Sequence, residues 1–206
     1  QLIESAYILH INGRHRKLMH SAMAVAKEVG TIISLDGGAQ RYDEDRKPIT
    51  EASHIVIVAR DYAEKYTGTT NLEDACRIIH ERGAFIAGVT DGANGSYFVW
   101  PDGTSYRCEP FSQANVVDTT GAGDSFHGAF LYMLTKTLCK IADGTNTSTM
   151  NETSQSLNAI DLLHSCAHED LEKAATFASA VAALNTQGIG GRSPLPSLED
   201  IKALIG

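Results

Sequence analysis

Residues 118–126 read DTTGAGDSF, which joins a flexible glycine turn to a carboxylate at the start of an apolar run. Gly121 and Gly123 permit a turn whose amide N–H groups point outward, and the positive end of a following helix strengthens their attraction for an anion. A phosphoryl group is the most natural occupant of such a turn. Asp124 stands beside it, where its carboxylate could accept a proton from an attacking hydroxyl. Because Asp is also a preferred helix-capping residue, a cap and a general base are both open interpretations of Asp124.

The segments around this motif alternate between strand and helix patterns, which predicts a mainly parallel sheet covered by helices on both faces. We therefore expect a three-layer α/β/α fold that forms a single domain over residues 1–206. Apolar, β-prone runs predict strands at 6–11, 31–36, 54–59 and 84–90 and a hairpin at 95–111, and helical periodicity predicts helices at 16–30, 60–68, 71–83, 128–138, 168–185 and 198–206.

Ligands of parallel α/β sheets bind at the carboxyl ends of the strands. In this chain the rule selects Asp36, the segment 59–62, Thr90 and the turn at 118–124. These positions are far apart in sequence, and the predicted sheet would bring them to one edge.

Two segments carry loop composition. Residues 143–158 are rich in Ser, Thr and Asn and offer almost nothing to bury, which predicts a surface insertion over about 139–167. Residues 186–197 contain repeated Gly and Pro and are expected to form a loop.

The bulk composition excludes several classes of protein. The 206 residues are 43% hydrophobic and 20% charged, which suits one sizeable core. A formal net charge of -8 argues against a nucleic-acid partner, since such proteins concentrate Lys and Arg. No apolar run approaches the ~20 residues that cross a bilayer, so we expect no membrane association and a cytoplasmic location. The four cysteines contain no CxxC pair, which fits reduced thiols better than a zinc site.

Four segments, taken together, resemble the ribokinase-like (PfkB) family of carbohydrate kinases. VVDTTGAGDSFHGAFLYML at 116–134 is similar to the C-terminal signature of that family, and TDGANG at 90–95 is similar to its nucleotide-binding turn. LHINGRH at 9–15 resembles a segment of the ketohexokinase-like and sulfofructose-kinase-like branch. AVAALNTQGIGGRSPLPS at 180–197 resembles the closing helix and glycine loop. The resemblance implies a ribokinase-like fold and an ATP-dependent sugar kinase, and it covers most of the chain outside 139–167.

The resemblance assigns the central roles to the glycine turn and its acid. Asp124 matches the catalytic base that takes the proton from a sugar hydroxymethyl group. Gly121, Ala122 and Gly123 match the anion hole that holds the γ-phosphoryl group in transit.

The resemblance also implies a nucleotide site. Thr90, Gly92 and Gly95 match the nucleotide-binding turn, and Ser179 falls at a position near the adenine. Arg14 matches an arginine of the ketohexokinase-like branch, where a guanidinium could pair with phosphate oxygens. Without the resemblance, Arg14 would be interpreted as an exposed surface charge.

Metal sites follow less directly from the resemblance. Asp118 and Thr120 fall where many members bind a monovalent cation, which allows K⁺ there beneath a loop at 188–193, although Asp118 could equally form a turn. Mg²⁺ is expected on the ATP phosphates. Many members carry an N-x-x-E motif that helps to organise the Mg²⁺ ion, but here Ala59 and Tyr62 occupy its Asn and Glu positions. Residues 60–63 instead resemble the K-D-x-A segment of the ketohexokinase-like branch.

The N-terminal portion of the family fold has no counterpart in these residues. Gln1 already corresponds to the middle of that fold, so the sugar-binding acid, the G-G-x-x-x-N motif and the β lid are missing. We expect the 206 residues alone to show little or no turnover. The full-length protein, for which the family allows a homodimer, would phosphorylate a primary hydroxyl of a ketohexose or related sugar. The alternatives are a non-catalytic nucleotide-binding fragment or pseudokinase module, and an unrelated α/β protein with a capped helix.

Overall fold

The computed structural model describes residues 2–112, 115–147, 158–191 and 195–206. Within these ranges a six-stranded sheet has the order β1-β2-β3-β4-β5-β6, in which β1 to β4 are parallel and β5 and β6 form an antiparallel hairpin. The expectation of a mainly parallel α/β sheet is therefore confirmed. The strands are β1 (Ile8–Ile11), β2 (Ile32–Gly37), β3 (Ile55–Ala59), β4 (Ile86–Thr90), β5 (Ser96–Val99) and β6 (Ser105–Cys108).

Helices cover both faces of the sheet. The first four pack against one face, and the last four pack against the other. None of the helices in the described ranges combines the length and apolar character needed to cross a bilayer. The helices are α1 (Arg16–Val29), α2 (Lys47–Glu51), α3 (Arg60–Thr67), α4 (Leu72–Glu81), α5 (Ala122–Thr147), α6 (Ala159–His164), α7 (His168–Asn185) and α8 (Leu198–Ile205).

The central strand β3 shows why its sequence is a continuous apolar run. Ile55 and Ile57 pack against the α5–α8 layer, whereas Val56 and Val58 pack against α3 and α4. Because successive side chains point to opposite faces and both faces are covered, every position must be apolar. No polar side chain lies within β3, so polar residues of a site can only follow this strand.

Helix α5 is longer than its apolar pattern predicts. The pattern predicts 128–138, but the helix begins at Ala122 and ends at Thr147. Phe126 and Phe130 in its first turns stack on Phe98 of β5, with ring centroids 6.4 and 5.8 Å apart. This aromatic contact anchors the start of the helix directly after the glycine turn. Residues 143–147 continue the helix, so the loop expected there is wrong for that stretch.

Part of the segment predicted as a surface insertion lies in the core. Asn158 caps α6 through a capping box, and the buried Leu162 and Leu163 pack in the core cluster shared by α5, α7 and the sheet. A surface position is therefore wrong for α6, and residues 148–157 of the segment lie outside the described ranges.

Candidate active site

The four parallel strands end at one edge of the sheet, and the candidate residues follow those ends. Arg14 follows β1, Asp36 is the second-last residue of β2, and Thr90 is the last residue of β4. Neighbouring strands are about 4.8 Å apart, so the ends of β2 and β4 are roughly 10 Å apart. The second turn of α5 reaches the same edge, because His127 in that turn contacts Asp36.

The glycine turn before α5 has the geometry that an anion site requires. Gly121 has a φ of 81°, and a Cβ atom there would collide with the backbone of Gly191. The Ala122 amide donates to the Thr119 carbonyl at 3.2 Å, which closes the turn. The Gly123 and Asp124 amides lie in the first helical turn and have no acceptor within the helix, whereas the Ser125 amide donates to the Gly121 carbonyl at 2.8 Å. A Cβ atom on Gly123 would meet no atom within 4 Å, so open space lies beside them.

The carboxylate of Asp124 is exposed at the third position of α5. A capping acid at this position bonds the backbone amide before the helix, and Asp124 makes no such bond with the residues that the structure describes. It can still stabilise α5 through the helix dipole. The geometry therefore leaves the carboxylate available to accept a proton.

Asp118 ties the glycine turn to the loop after α7. Its two carboxylate oxygens accept hydrogen bonds from the amides of Thr120 at 2.8 Å and Gly190 at 2.9 Å. These two backbone donors lower the pKa of Asp118. The turn-forming role of Asp118 is therefore directly visible. Residues 192–194, which include the end of the loop expected to close a cation site, lie outside the described ranges.

The turn after β4 depends on its glycines. The Asp91 amide donates to the Gly95 carbonyl at 2.9 Å. Gly95 has a φ of 87°, and a Cβ atom there would collide with the Cys108 carbonyl. Gly92 has a φ of 52° and open space around it. The turn therefore packs tightly against Cys108 at Gly95, whereas no described residue crowds it at Gly92.

Ser179 lies at the same corner of the molecule. Its hydroxyl donates to the Glu109 carbonyl at 3.4 Å, directly after the Cys108 that packs against Gly95. The structure therefore brings α7, the end of β6 and the turn at 90–95 together.

Arg60, at the start of α3, links the ends of β3 and β4. Its guanidinium donates to Asp91 at 2.6 Å and to Glu64 at 2.9 Å. The neighbouring Tyr62 is buried and shares a hydrogen bond of 2.7 Å with Thr50, so it belongs to the core.

The described residues contain no cluster of three His, Cys, Asp or Glu side chains that could cage a metal ion. Ala59 and Tyr62 supply no ligand at the positions where many members carry Asn and Glu. Mg²⁺ in phosphoryl-transfer sites is commonly held by substrate phosphates, waters and one or two carboxylates, so this arrangement does not fit a dedicated magnesium cage.

Packing and ion pairs hold the loop that carries Arg14. The Arg46 guanidinium packs against Gly13, and Arg46 and Arg16 both pair with Asp43, at 3.2 and 2.8 Å. Arg14 itself is exposed, and no acid in the described ranges pairs with it. Its positive charge is therefore available to an anion at this edge of the sheet.

A buried polar cluster lies beneath the glycine turn. The Nε2 atom of His127 lies 3.3 Å from one carboxylate oxygen of Asp36, and Arg41 donates to the other oxygen at 3.2 Å. The His10 ring lies 5.4 Å from the His127 ring, and its Nδ1 is 3.2 Å from the Ser34 hydroxyl. The strand-end rule selects Asp36, but a packed histidine is the simpler expectation for His127. His127 follows Asp124 by three residues, which places both side chains on one face of a helix. This spacing is the sequence signal that could have linked His127 to the site.

The electrostatics of this cluster favour a charged Asp36. Burial alone raises the pKa of Asp36, but the hydrogen bond and charge of His127, with Arg41 and His10, outweigh it and leave the pKa below its ordinary value. Partial burial lowers the pKa of His10, His127 lowers it further, and Asp36 and Asp124 oppose that change only in part.

Comparisons with known proteins identify the family and the fold. The chain matches the model of the pfkB family carbohydrate kinases over residues 1–198. It is 24% identical over 219 residues to a 5-dehydro-2-deoxygluconokinase of Shouchella clausii, and 30% identical over 220 residues to probable fructokinase-2 of Arabidopsis thaliana. These alignments cover 98% and 99% of this chain but only 57% and 58% of the relatives, so the chain spans little more than half their length.

Solved structures show the same fold. The ribokinase of Giardia lamblia superposes with a TM-score of 0.74 at 18% identity, over 98% of this chain and 61% of that one. A fructokinase double mutant of Vibrio cholerae, determined with fructose, ADP and potassium ion bound, superposes with a TM-score of 0.73 at 21% identity over the same shares. Taken with the family model that spans nearly all of its residues, the fold and the ordered motifs show that this chain belongs to the pfkB family of carbohydrate kinases.

Proposed function

We propose that this chain is the nucleotide-binding and catalytic part of an ATP-dependent sugar kinase, with Asp124 as the general base. One observation carries the proposal. Asp124 is exposed in the first turn of α5, where the amides of Gly123 and Asp124 have no acceptor within the helix and no described side chain crowds Gly123. An acceptor hydroxyl and a phosphoryl group could meet there.

The reaction would proceed by direct transfer. The primary hydroxyl oxygen of the sugar attacks the γ-phosphorus while Asp124 accepts the hydroxyl proton. The bond between the γ-phosphorus and the β,γ-bridging oxygen breaks, and ADP leaves with that electron pair. Negative charge on the transferring group is stabilised by the amides after Gly121 and by the positive end of α5. Positioning and electrostatics supply most of the rate in such reactions.

The nucleotide would lie along the strand ends. Thr90, Gly92 and Gly95 would hold it at the end of β4, with Ser179 near the adenine at the corner described above. The roughly 10 Å from there to the end of β2 suits an extended polyphosphate. Arg14, which has no acidic partner in the described ranges, would pair with phosphate oxygens.

Two cations belong to the proposal. Mg²⁺ would neutralise the ATP phosphates and be held mainly by those phosphates and by water. K⁺ is proposed at Asp118 and Thr120. Each carboxylate oxygen of Asp118 accepts one backbone amide and retains lone-pair capacity for a cation, which supports this proposal.

We propose a ketohexose or a related sugar as the acceptor. The relatives named as fructokinase and as 5-dehydro-2-deoxygluconokinase support this class, as does the LHINGRH segment at 9–15. The sugar contacts themselves depend on parts of the relatives that lie outside the alignment.

The direct test is an ADP-release screen of the intact gene product with ATP and a panel of ketoses, pentoses and nucleosides. Wild-type protein should phosphorylate one class, and Asp124→Asn should lose that turnover by at least about 100-fold while retaining ATP binding. Asp74→Asn is the matched control, because Asp74 is also an acid in the first turn of a helix but lies on α4. Normal turnover by Asp124→Asn would remove Asp124 from the base role. Binding of ATP without phosphorylation of any acceptor would instead favour a non-catalytic nucleotide-binding protein.

A further inference from the structure

The contact between His127 and Asp36 has no role in the reaction as described above. Both side chains are almost fully buried, with 6% and 8% of their surfaces exposed. Their contact joins the first turns of α5 to the carboxyl end of β2. It is therefore a polar link between the element that carries Asp124 and the sheet beneath it.

Neighbouring side chains contact both members of the His127–Asp36 pair. Because Asp36 is an acceptor, the proton between the two side chains resides on Nε2 of His127. Arg41 occupies the second oxygen of Asp36, and the His10 ring packs beside His127. A buried pair that is fixed from several directions has one preferred geometry, even where its net contribution to stability is small.

The cluster also carries a cost that an apolar side chain would avoid. The Nδ1 atom of His127 is buried and has no hydrogen-bond partner among the described residues. Leaving such a group without a partner is unfavourable. A histidine at this position is therefore better explained by what its Nε2 atom does than by packing.

Helical spacing connects the pair to the site. His127 follows Asp124 by three residues, so the two side chains share a face of α5. A fixed direction for His127 consequently sets the rotation of the first turn. We propose that His127 and Asp36 are positioning residues that hold the α5 first turn in the rotation that directs the Asp124 carboxylate at the acceptor hydroxyl. This inference rests on the proposed kinase function.

Two isosteric variants separate this role from simple packing. His127→Gln places an amide donor near the position of Nε2 and can keep the bond to Asp36. His127→Asn places its amide near the position of Nδ1 and loses that bond. Both are measured in the intact gene product for kcat, for KM of ATP and for thermal unfolding. Amide hydrogen exchange of the peptide that covers 119–127 is measured alongside.

We expect His127→Asn to lower kcat by about 100-fold, since a small misplacement near the chemistry has effects of that size. The KM for ATP should stay within about twofold, because the nucleotide contacts are elsewhere. Exchange at 119–127 should accelerate. His127→Gln should restore kcat to within about fivefold of wild type, with wild-type exchange.

Wild-type kcat in His127→Asn, or equal losses in the Asn and Gln variants, would overturn the positioning role. Unchanged exchange in His127→Asn would overturn it as well. If the wild-type protein phosphorylates no acceptor, the proposed function fails separately. The exchange comparison then decides by itself whether the pair holds the turn.

Discussion

The backbone of Gly121 lies directly against the backbone of Gly191, so that the glycine turn before α5 and the loop after α7 form one packed unit. Neither strand pairing nor helix packing makes this contact; it exists because both residues lack a Cβ atom. Asp118 strengthens the same junction through its bonds to the amides of Thr120 and Gly190.

Gly121→Ala should therefore damage the protein in two ways. The residue has a φ of 81°, which costs an L-residue about 1–2 kcal/mol, and the new methyl group would push the loop at 188–191 away. Thermal unfolding should show a lower Tm, and turnover should be lost. An unchanged Tm would mean that the loop yields without cost.

Gly123→Ala is the matched control for Gly121→Ala, and it should lower turnover without lowering Tm. A Cβ atom there meets none of the described residues beyond its own helix within 4 Å, and Ala raises helix propensity by up to about 1 kcal/mol, so Tm should hold or rise. Turnover should still fall by about 10-fold, because the methyl group enters the space proposed for the phosphoryl group. A variant that is both more stable and fully active would place the phosphoryl group elsewhere.

Asp91→Asn should tighten ATP binding. Arg60 is held between Asp91 and Glu64, which leaves a net negative charge beside the proposed polyphosphate path. Removing one of these charges should favour the nucleotide by about 1 kcal/mol, or roughly fivefold in Kd, at the high effective dielectric near a protein surface. Isothermal titration with ATP at low and high salt measures this, and the gain should shrink with added salt. Weaker binding would show that the ion pair matters more for the shape of the turn.

The local parts of the site could be predicted from the sequence. The glycines at 92, 95, 121 and 123 and the acid at 124 are neighbours in the chain, so their spacing already indicates turns and a helix start. Strand ends such as Asp36 and Thr90 follow from the apolar runs before them, because parallel strands end at one edge of a sheet.

The parts that the sequence could not predict depend on packing between distant segments. The pairing of His127 with Asp36 requires the placement of α5 over β2, and no local pattern contains that placement. The true start of α5 depends on the stack of Phe126 on Phe98, and α6 is helical because Leu162 and Leu163 find an apolar surface. In each case tertiary contacts override a weak local preference.

His54 should make the stability of the fold sensitive to acid. Its Nδ1 atom accepts a hydrogen bond of 2.9 Å from the Ile33 amide, which requires the neutral ring at that atom. Burial lowers the pKa of His54, and the positive charges of Lys27 and His164 lower it further. The unfolded chain therefore takes up a proton first as pH falls below about 6.5, so stability falls until the lower folded-state pKa is reached.

His54→Asn isolates this effect, because the amide oxygen of Asn can accept the Ile33 hydrogen bond without titrating. Urea unfolding between pH 7.5 and 5 should show a steeper loss of stability in the wild type, by at most about 1.4 kcal/mol per pH unit. If the free energy of unfolding falls equally with pH in both proteins, His54 is not the source of the acid sensitivity.

Leu163→Ala should destabilise the protein strongly, although the residue lies in a segment whose composition predicts a surface insertion. The side chain is 1% exposed in the core shared with α5 and α7, and a buried Leu→Ala change costs about 2–5 kcal/mol. Leu18→Ala is the matched control, because Leu18 is 69% exposed on α1 and its loss should cost less than about 0.5 kcal/mol. Urea unfolding of both variants measures the difference. Equal and small effects would mean that α6 detaches in solution and that the core closes without it.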